Sequence, residues 1–539
     1  MNFKKFESET KLRGGYYTPF PVANFLTKWV LEKNPSVVLE PSCGNGAFVS
    51  SIVKNAKGRL SFHGVEIDSK EARKAREVCS ASSVLDGQIV VGDFLEWSLA
   101  KMDDGYACDA VLGNPPYIRY QYLEKETQVL SEEIFSRFNL KFTKHTNIWV
   151  PFIIASIALL KKEGRLGMVV PSEIMHVLHA TSLRHFLLDN CSRILMIDPN
   201  ELLFEKALQG TVLLMVEKKN GKKRSEGVAV HPAQNNSFLD SDPGFFFDTA
   251  NYINGEHLNG KWMKVLLSPE ELELFERIEK NEHVERFNNV ASVDVGIVTG
   301  ANKFFLVPDE TIEKYKLHKW ATPMFGRSEH VSGVIYNKSQ HLKNKRDGYP
   351  TNFLWFDGAD EPFPKEVQDY IAGGEKEELH KRYKCRIRKP WYKVPSIYST
   401  EIGMLKRCHN FPRLIFNSLG ALTTDTAYRV QSSRIPARKL VYCFMNSLTA
   451  LSAELEGRHY GGGVLELVPS EIEKLLIPLP DDLCFDLRAL DKRVRESDDL
   501  ESLFRAQDEN ILTACGLTLR ECEIIQGAWR RIRARRQRD

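Results

Sequence analysis

No stretch of this sequence is apolar for long enough to cross a bilayer. The greasiest run, "WVPFIIASIALL", lasts twelve residues before "KKEG" interrupts it, whereas a spanning helix needs about 20. The N-terminal "MNFKKFESETKLRGG" lacks the apolar core of a secretory signal. Ten cysteines stand singly between Cys43 and Cys522, with no C-x-x-C pair and no histidine at zinc spacing, so neither a disulfide framework nor a structural metal is indicated. A net charge of +3 is also too small to imply a polyanionic partner for the whole chain, and any nucleic-acid footprint must be sought locally. What is present is the composition of a folded protein, 42% hydrophobic and 27% charged over 539 residues, enough for two or three domains. These features predict a cytoplasmic protein that needs neither membrane nor metal.

Through the first 220 residues, short apolar runs alternate with helical periods: "SVVLEPS", "GAFVSSIVKNA", "SFHGVEID", "SKEARKAREVCSA", "GQIVVGDF" and "CDAVLGNPPY". This is the β-α-β-α signature of a sheet covered on both faces. The pattern resumes with a long helix "NIWVPFIIASIALLKKEG", a strand "RLGMVVPS", a helix near "TSLRHFLLDN", and strands "RILMID" and "GTVLLMVEK". Ligands of such sheets bind beyond the carboxyl ends of the strands. Four successive strands end there in Glu40, Glu66, Asp93 and Asn114, and Gly44 and Gly46 allow a tight turn after the first.

Taken singly, these residues have plain readings, since a G-x-G turn is common and acids after strands often cap helices. Four on one edge argue for a site. Dinucleotide binding is the nearest competitor, but from Gly44 the run G-N-G-A-F-V has Val49 where a third glycine should stand, and no G-K-[ST] follows for a phosphate loop.

The ordered set "GGYYTP", "EPSCGNGAF", "VEID", "GDF" and "NPPY" resembles the γ-class (TaqI-like) S-adenosylmethionine-dependent DNA adenine-N6 methyltransferases. The resemblance implies a Rossmann-like catalytic domain, α/β with a mixed seven-stranded sheet, followed by an α+β target-recognition domain. It further implies that Thr18 meets the cofactor carboxylate, that Glu40, Pro41, Ser42 and Cys43 lie under its methionine part, and that Glu66 takes the ribose. Asp93 would accept from the adenine amine and Phe94 would pack on the ring, with Tyr17, Gly44, Gly46, Asn114 and Pro116 in the same pocket. Physically, Thr18 followed by Pro19 also reads as helix N-cap and first helical position, offering a positive dipole end to an anion. Carboxylates suit the other roles because hydroxyls and amines are donors and an ionised carboxylate only accepts.

"NPPY" has its own chemistry. The amine of adenine is a poor nucleophile because its lone pair is delocalised into the ring. Acceptors on both hydrogens, the Asn114 side-chain oxygen and the Pro115 carbonyl, would draw the nitrogen toward a tetrahedral shape, and the paired prolines stiffen that geometry. Tyr117 offers a ring on which an extruded base can stack. By resemblance a second aromatic lies on the opposite face, and Phe204 is the matching position. The polar segment 118–146 reads as a mobile rim loop.

The second half carries a basic and aromatic run, "KRYKCRIRKPWYKVP", with Lys381, Arg382, Lys384, Arg386, Arg388 and Trp391 as candidate DNA contacts. This run, "VGIVTGANKFFLV", "TTDTAYRV" and "GRHYGGGVLELVPSEIEKLLIP" resemble pieces of the specificity domain of restriction-modification methyltransferases. The expected organisation is a catalytic domain over 1–225, a connecting segment over 226–285, target recognition over 286–475, and a helical end over 476–539. The tail "GAWRRIRARRQRD" reads as a frayed, solvated basic end. The expectation is a monomeric, site-specific adenine methyltransferase acting on double-stranded DNA and protecting it from a separately encoded endonuclease. The rival readings are a protein-glutamine or RNA methyltransferase, a fused restriction-modification polypeptide, and a DNA-binding module that has lost its chemistry.

Overall fold

The computed structural model describes residues 17–201, 210–221, 224–258, 260–356, 363–497 and 499–537. The chain divides into two compact units between Leu266 and Leu267. In the first, α1 (Phe20–Leu31) buries Val22, Phe25, Leu26, Trp29 and Val30 on one face, an amphipathic stripe with helical spacing. There follow β1 (Val37–Glu40), α2 (Ala47–Asn55), β2 (Leu60–Glu66), α3 (Ser69–Ser80), β3 (Leu85–Val91), α4 (Phe94–Asp103) and β4 (Cys108–Gly113). After α5 (Lys125–Arg137) and α6 (Trp149–Leu159) come β5 (Leu160–Pro171), α7 (Thr181–Asn190), β6 (Cys191–Pro199), β7 (Thr211–Lys218) and β8 (Gly227–Ala233).

The sheet order is β3-β2-β1-β4-β5-β7-β6-β8. β7 lies antiparallel between β5 and β6, whereas β1 to β5 and the β6–β8 pair are parallel. The strand order reverses between β1 and β4, which opens a crevice at their carboxyl ends.

Several expectations are corrected. The sheet has eight strands rather than seven, because "GVAVHPA" pairs in register with β6; a run this short gives little periodicity to read. The helix expected to extend through "KKEG" ends at Leu159, and β5 begins at Leu160. The rim segment contains a helix, α5, whose Ile134 and Phe135 are buried. Thr18 makes no cap bond; the Pro19 carbonyl accepts from the Val22 and Ala23 amides instead.

The second unit is built from short strands. One sheet joins Ala291–Val295, Ala427–Ser432, Ile402–Leu405, Leu414–Asn417 and Ile335–Tyr336 in that order. An aromatic core of Phe304, Phe305, Phe353, Phe356 and Trp391 lies beside a smaller sheet. The interval 226–285 is not a plain connector, since β8 belongs to the first unit. Val284–Arg286 pairs with Leu476–Pro478, which ties both proposed edges of the 286–475 segment into the second unit.

The basic tail is not frayed. Helix Leu519–Arg536 is opened by a capping box from Thr518 and Glu521. Arg531 grips Glu271 through two bonds of 2.7 and 2.6 Å, and Arg530 meets Glu501 at 3.0 Å. Arg536 forms a buried fork on Glu454 at 2.9 and 2.7 Å.

Candidate active site

Glu40 ends β1 fully buried, and its Oε2 has no hydrogen-bond partner among the described residues. Burial, reinforced by repulsion from Glu66, pushes its carboxyl well above the usual carboxylate range. Glu66, at the end of β2, accepts from the Gly44 amide at 2.8 Å and from the Asp68 amide at 2.9 Å. Desolvation outweighs these bonds and raises its carboxyl too. Gly44 lies at φ +48° with open space where a Cβ would project, whereas a Cβ on Gly46 (φ +84°) would stand 3.1 Å from Ala75 Cα. Glycine is needed at Gly46 for close packing and at Gly44 for its left-handed turn. The Cys43 Sγ contacts the Glu40 carbonyl at 3.6 Å.

This crevice therefore holds two carboxylates that are costly to ionise without a counter-charge. Such a pair of acceptors fits a ligand bearing an ammonium and a sulfonium.

Asp93 follows β3 and caps α4, its Oδ1 accepting from the Leu95 amide at 2.7 Å. Its Oδ2 accepts from Thr127 Oγ1 of α5 at 3.1 Å, a pairing across 34 positions that no local pattern signals. Phe94 is only 2% exposed and packs on Phe152 with ring centroids 5.0 Å apart. Ile67 belongs to the edge as well, though nothing in its residue type marks it. At 70% exposed, between Glu66 and Asp68, it offers an apolar face beside the acids. Tyr17 is exposed and Pro41 is buried.

Asn114 is half-buried just beyond β4. Its Nδ2 donates to Thr18 Oγ1 at 3.2 Å, which sets the carboxamide orientation, and its Oδ1 accepts from the Tyr117 hydroxyl at 2.9 Å. The same hydroxyl lies 3.1 Å from the Val169 carbonyl of β5, so its single proton serves one acceptor at a time. Ser42 Oγ donates to the Asn114 carbonyl at 3.0 Å, joining the loops after β1 and β4. Pro115 is buried, and Pro116 and Tyr117 are half-buried. Hydrogen bonds thus draw Thr18, Ser42, Asn114 and Tyr117 together at the β1/β4 reversal, with Glu40 and the loop after it alongside. Phe204 lies outside the described residues.

Among the candidate DNA contacts, Lys381, Arg382, Lys384 and Arg386 are exposed. Two are interior. Trp391 is in the aromatic core and donates to Glu375 Oε1 at 3.1 Å. Arg388 donates to the carbonyls of Thr299 and Val298 at 2.8 and 2.7 Å. Both act as anchors for the segment.

Comparison with known proteins follows the same division. Residues 2–244 match the family described as N-6 DNA Methylase, and residues 259–512 match the C-terminal domain of the Type II methyltransferase M.Eco57I. The Type II methyltransferase M.AccI of Acinetobacter calcoaceticus is 23% identical over 505 residues, covering 91% of this chain and 88% of its own. M.XamI of Xanthomonas campestris pv. amaranthicola is 22% identical over 490 residues, covering 87% and 86%. Among solved structures, the Type IIL restriction-modification enzyme MmeI, in complex with DNA, aligns with a TM-score of 0.56 at 12% identity, over 95% of this chain and 72% of that one. At that identity the likeness is one of fold.

Proposed function

We propose that this chain is a γ-class N6-adenine DNA methyltransferase of a restriction-modification system, a reading that the matches of both its parts support, and that its first unit methylates the N6 amine of an adenine swung out of duplex DNA. The methyl donor is S-adenosyl-L-methionine, which supplies an electrophilic methyl on a sulfonium when bound. The carrying observation is the orientation of Asn114, whose amide nitrogen is engaged by Thr18 so that its oxygen faces the Tyr117 side.

In this reading Glu40 offers its unpartnered oxygen to the positive end of the donor, and Glu66 accepts from the ribose hydroxyls with its remaining lone pairs. Asp93 accepts from the donor's adenine amine. The oxygens of Asn114 and Pro115 take the two hydrogens of the target amine, and Tyr117 supplies a ring against the base. No general base is needed before attack, because the proton becomes acidic once nitrogen carries the methyl. Positioning and acceptor electrostatics carry the rate. The second unit selects the target sequence, and the modification protects DNA from a separately encoded endonuclease.

The test supplies labelled S-adenosyl-L-methionine with duplex DNA, RNA and protein substrates, and maps the modified position by sequencing. Label is expected in DNA, on adenine N6. Asn114→Ala should lower kcat on the order of a hundredfold or more while the melting temperature and donor affinity stay near those of the parent. Label entering only RNA or protein would sink the reading.

A further inference from the structure

We propose that the short helix Tyr383–Arg386 is a crest that enters a groove of duplex DNA, setting Tyr383 and Ile387 against base edges and Lys384 and Arg386 on the flanking phosphates. The inference rests on the DNA reading above and adds the surface through which the second unit would act on the duplex.

The geometry starts from Cys385, which is completely buried. Ile387 continues the helical conformation as the C-cap residue. At about 100° per residue, positions two before and two after Cys385 both lie about 160° from it, on the opposite side of the helix. Those positions are Tyr383 and Ile387, 63% and 62% exposed, so a ring and a branched aliphatic chain form one outward ridge. Lys384 and Arg386, each one step from Cys385, fall on its two flanks. Their charged ends stand 5.6 and 5.5 Å from the Tyr383 ring centroid.

The crest has a rigid base. Arg388 is fixed on two carbonyls, Trp391 is bonded to Glu375, and Cys385 Sγ lies 3.8 Å from the Thr299 carbonyl. An apolar ridge held in water on so firm a support invites burial against a partner.

Charge selects that partner. Among the described residues, Arg382, Lys384 and Arg386 form no ion pair, whereas Lys381 is paired with Glu378. A protein covering the ridge would have to bring an acid for each cation. A nucleic-acid groove supplies a phosphate wall on both sides and stackable, partly apolar edges between them.

The experiment measures binding of the full-length protein to a fluorescein-labelled mixed-sequence duplex by anisotropy over a series of salt concentrations. Tyr383→Ala with Ile387→Ala should weaken binding about tenfold at fixed salt, because the ridge no longer meets the bases, with the salt slope unchanged. Lys384→Gln with Arg386→Gln should make the slope shallower by about two, one for each phosphate that is no longer neutralised. Melting curves superimposable on that of the parent show that each variant is folded. If the parent binds and the apolar double variant binds equally well, the crest is overturned and the ridge belongs to a protein partner. If the parent binds no duplex at all, the DNA reading falls and the crest with it.

Discussion

Two glutamates, one in each unit, are equally buried at 1% exposure, and their carboxyls are driven in opposite directions. At Glu40 burial dominates, Glu66 adds repulsion, a hydrogen bond from Cys43 offsets only part of this, and ionisation becomes hard. At Glu454 burial opposes ionisation as well. There, hydrogen bonds from His459 and the Arg536 fork overcome it and hold the carboxyl below its ordinary range. At Glu454 the charge is matched by partners of its own unit. The first unit has left charge unsatisfied at a strand end, where a cationic ligand could relieve it. Degree of burial therefore does not separate a strut from a binding group; the presence of a partner within the fold does.

Breaking the strut should give the largest effect. Arg536→Ala strands a buried carboxylate and should cost about 3–5 kcal/mol of stability, read by denaturant unfolding followed in the second unit. Glu454→Leu combined with Arg536→Met should recover most of that loss, because an apolar pair replaces a desolvated ionic one. If Arg536→Ala were neutral, the fork would not be a fastening.

Glu40→Gln should do the reverse in the first unit. Removing an unsatisfied charge should raise the melting temperature of the donor-free protein, while donor affinity measured by calorimetry falls about tenfold, the worth of one charge-assisted hydrogen bond. Unchanged affinity would remove Glu40 from the site.

Acid should separate the two glutamates without mutation. A carboxyl raised on folding contributes stability below its ordinary pKa of about 4.3 and loses it as pH rises through the folded value. A carboxyl depressed on folding contributes above about 4.3 and loses stability as pH falls through its folded value. In the donor-free protein, mild acidification from neutral should thus strengthen the Glu40 region and leave the Glu454 region intact until the pH drops below the carboxylate range. Hydrogen exchange at α2 and at helix Ser447–Glu456, followed against pH, distinguishes them.

The smallest expected effect is at Thr127. Thr127→Val removes the hydroxyl on Asp93 and should weaken donor affinity about three- to tenfold, with Thr127→Ser restoring it. Equal affinity in all three proteins would show that α5 does not steady Asp93.

The two basic segments extend the same lesson. "KRYKCRIRK" and "RRIRARR" carry six and five cations as sequence, yet the second is pinned by Glu271, Glu501 and Glu454 from earlier in the chain. The first keeps Arg382, Lys384 and Arg386 out of ion pairs among the described residues. Composition alone could not have told them apart, nor could it have shown that Arg388 is bonded to two carbonyls of the fold and that Trp391 is buried.

By itself the sequence determined the strand-helix alternation and the delivery of Glu40, Glu66, Asp93 and Asn114 to one edge, because both follow from local periodicity and from turns within a few residues. It also carried the motifs on which the family resemblance rests. Only tertiary structure decided which charges are satisfied, that Thr18 orients Asn114 rather than capping a helix, that Thr127 reaches Asp93, and that β8 completes the sheet. Each of these depends on partners tens to hundreds of residues away, and the electrostatic cost of a buried group is set by those partners rather than by its own residue type.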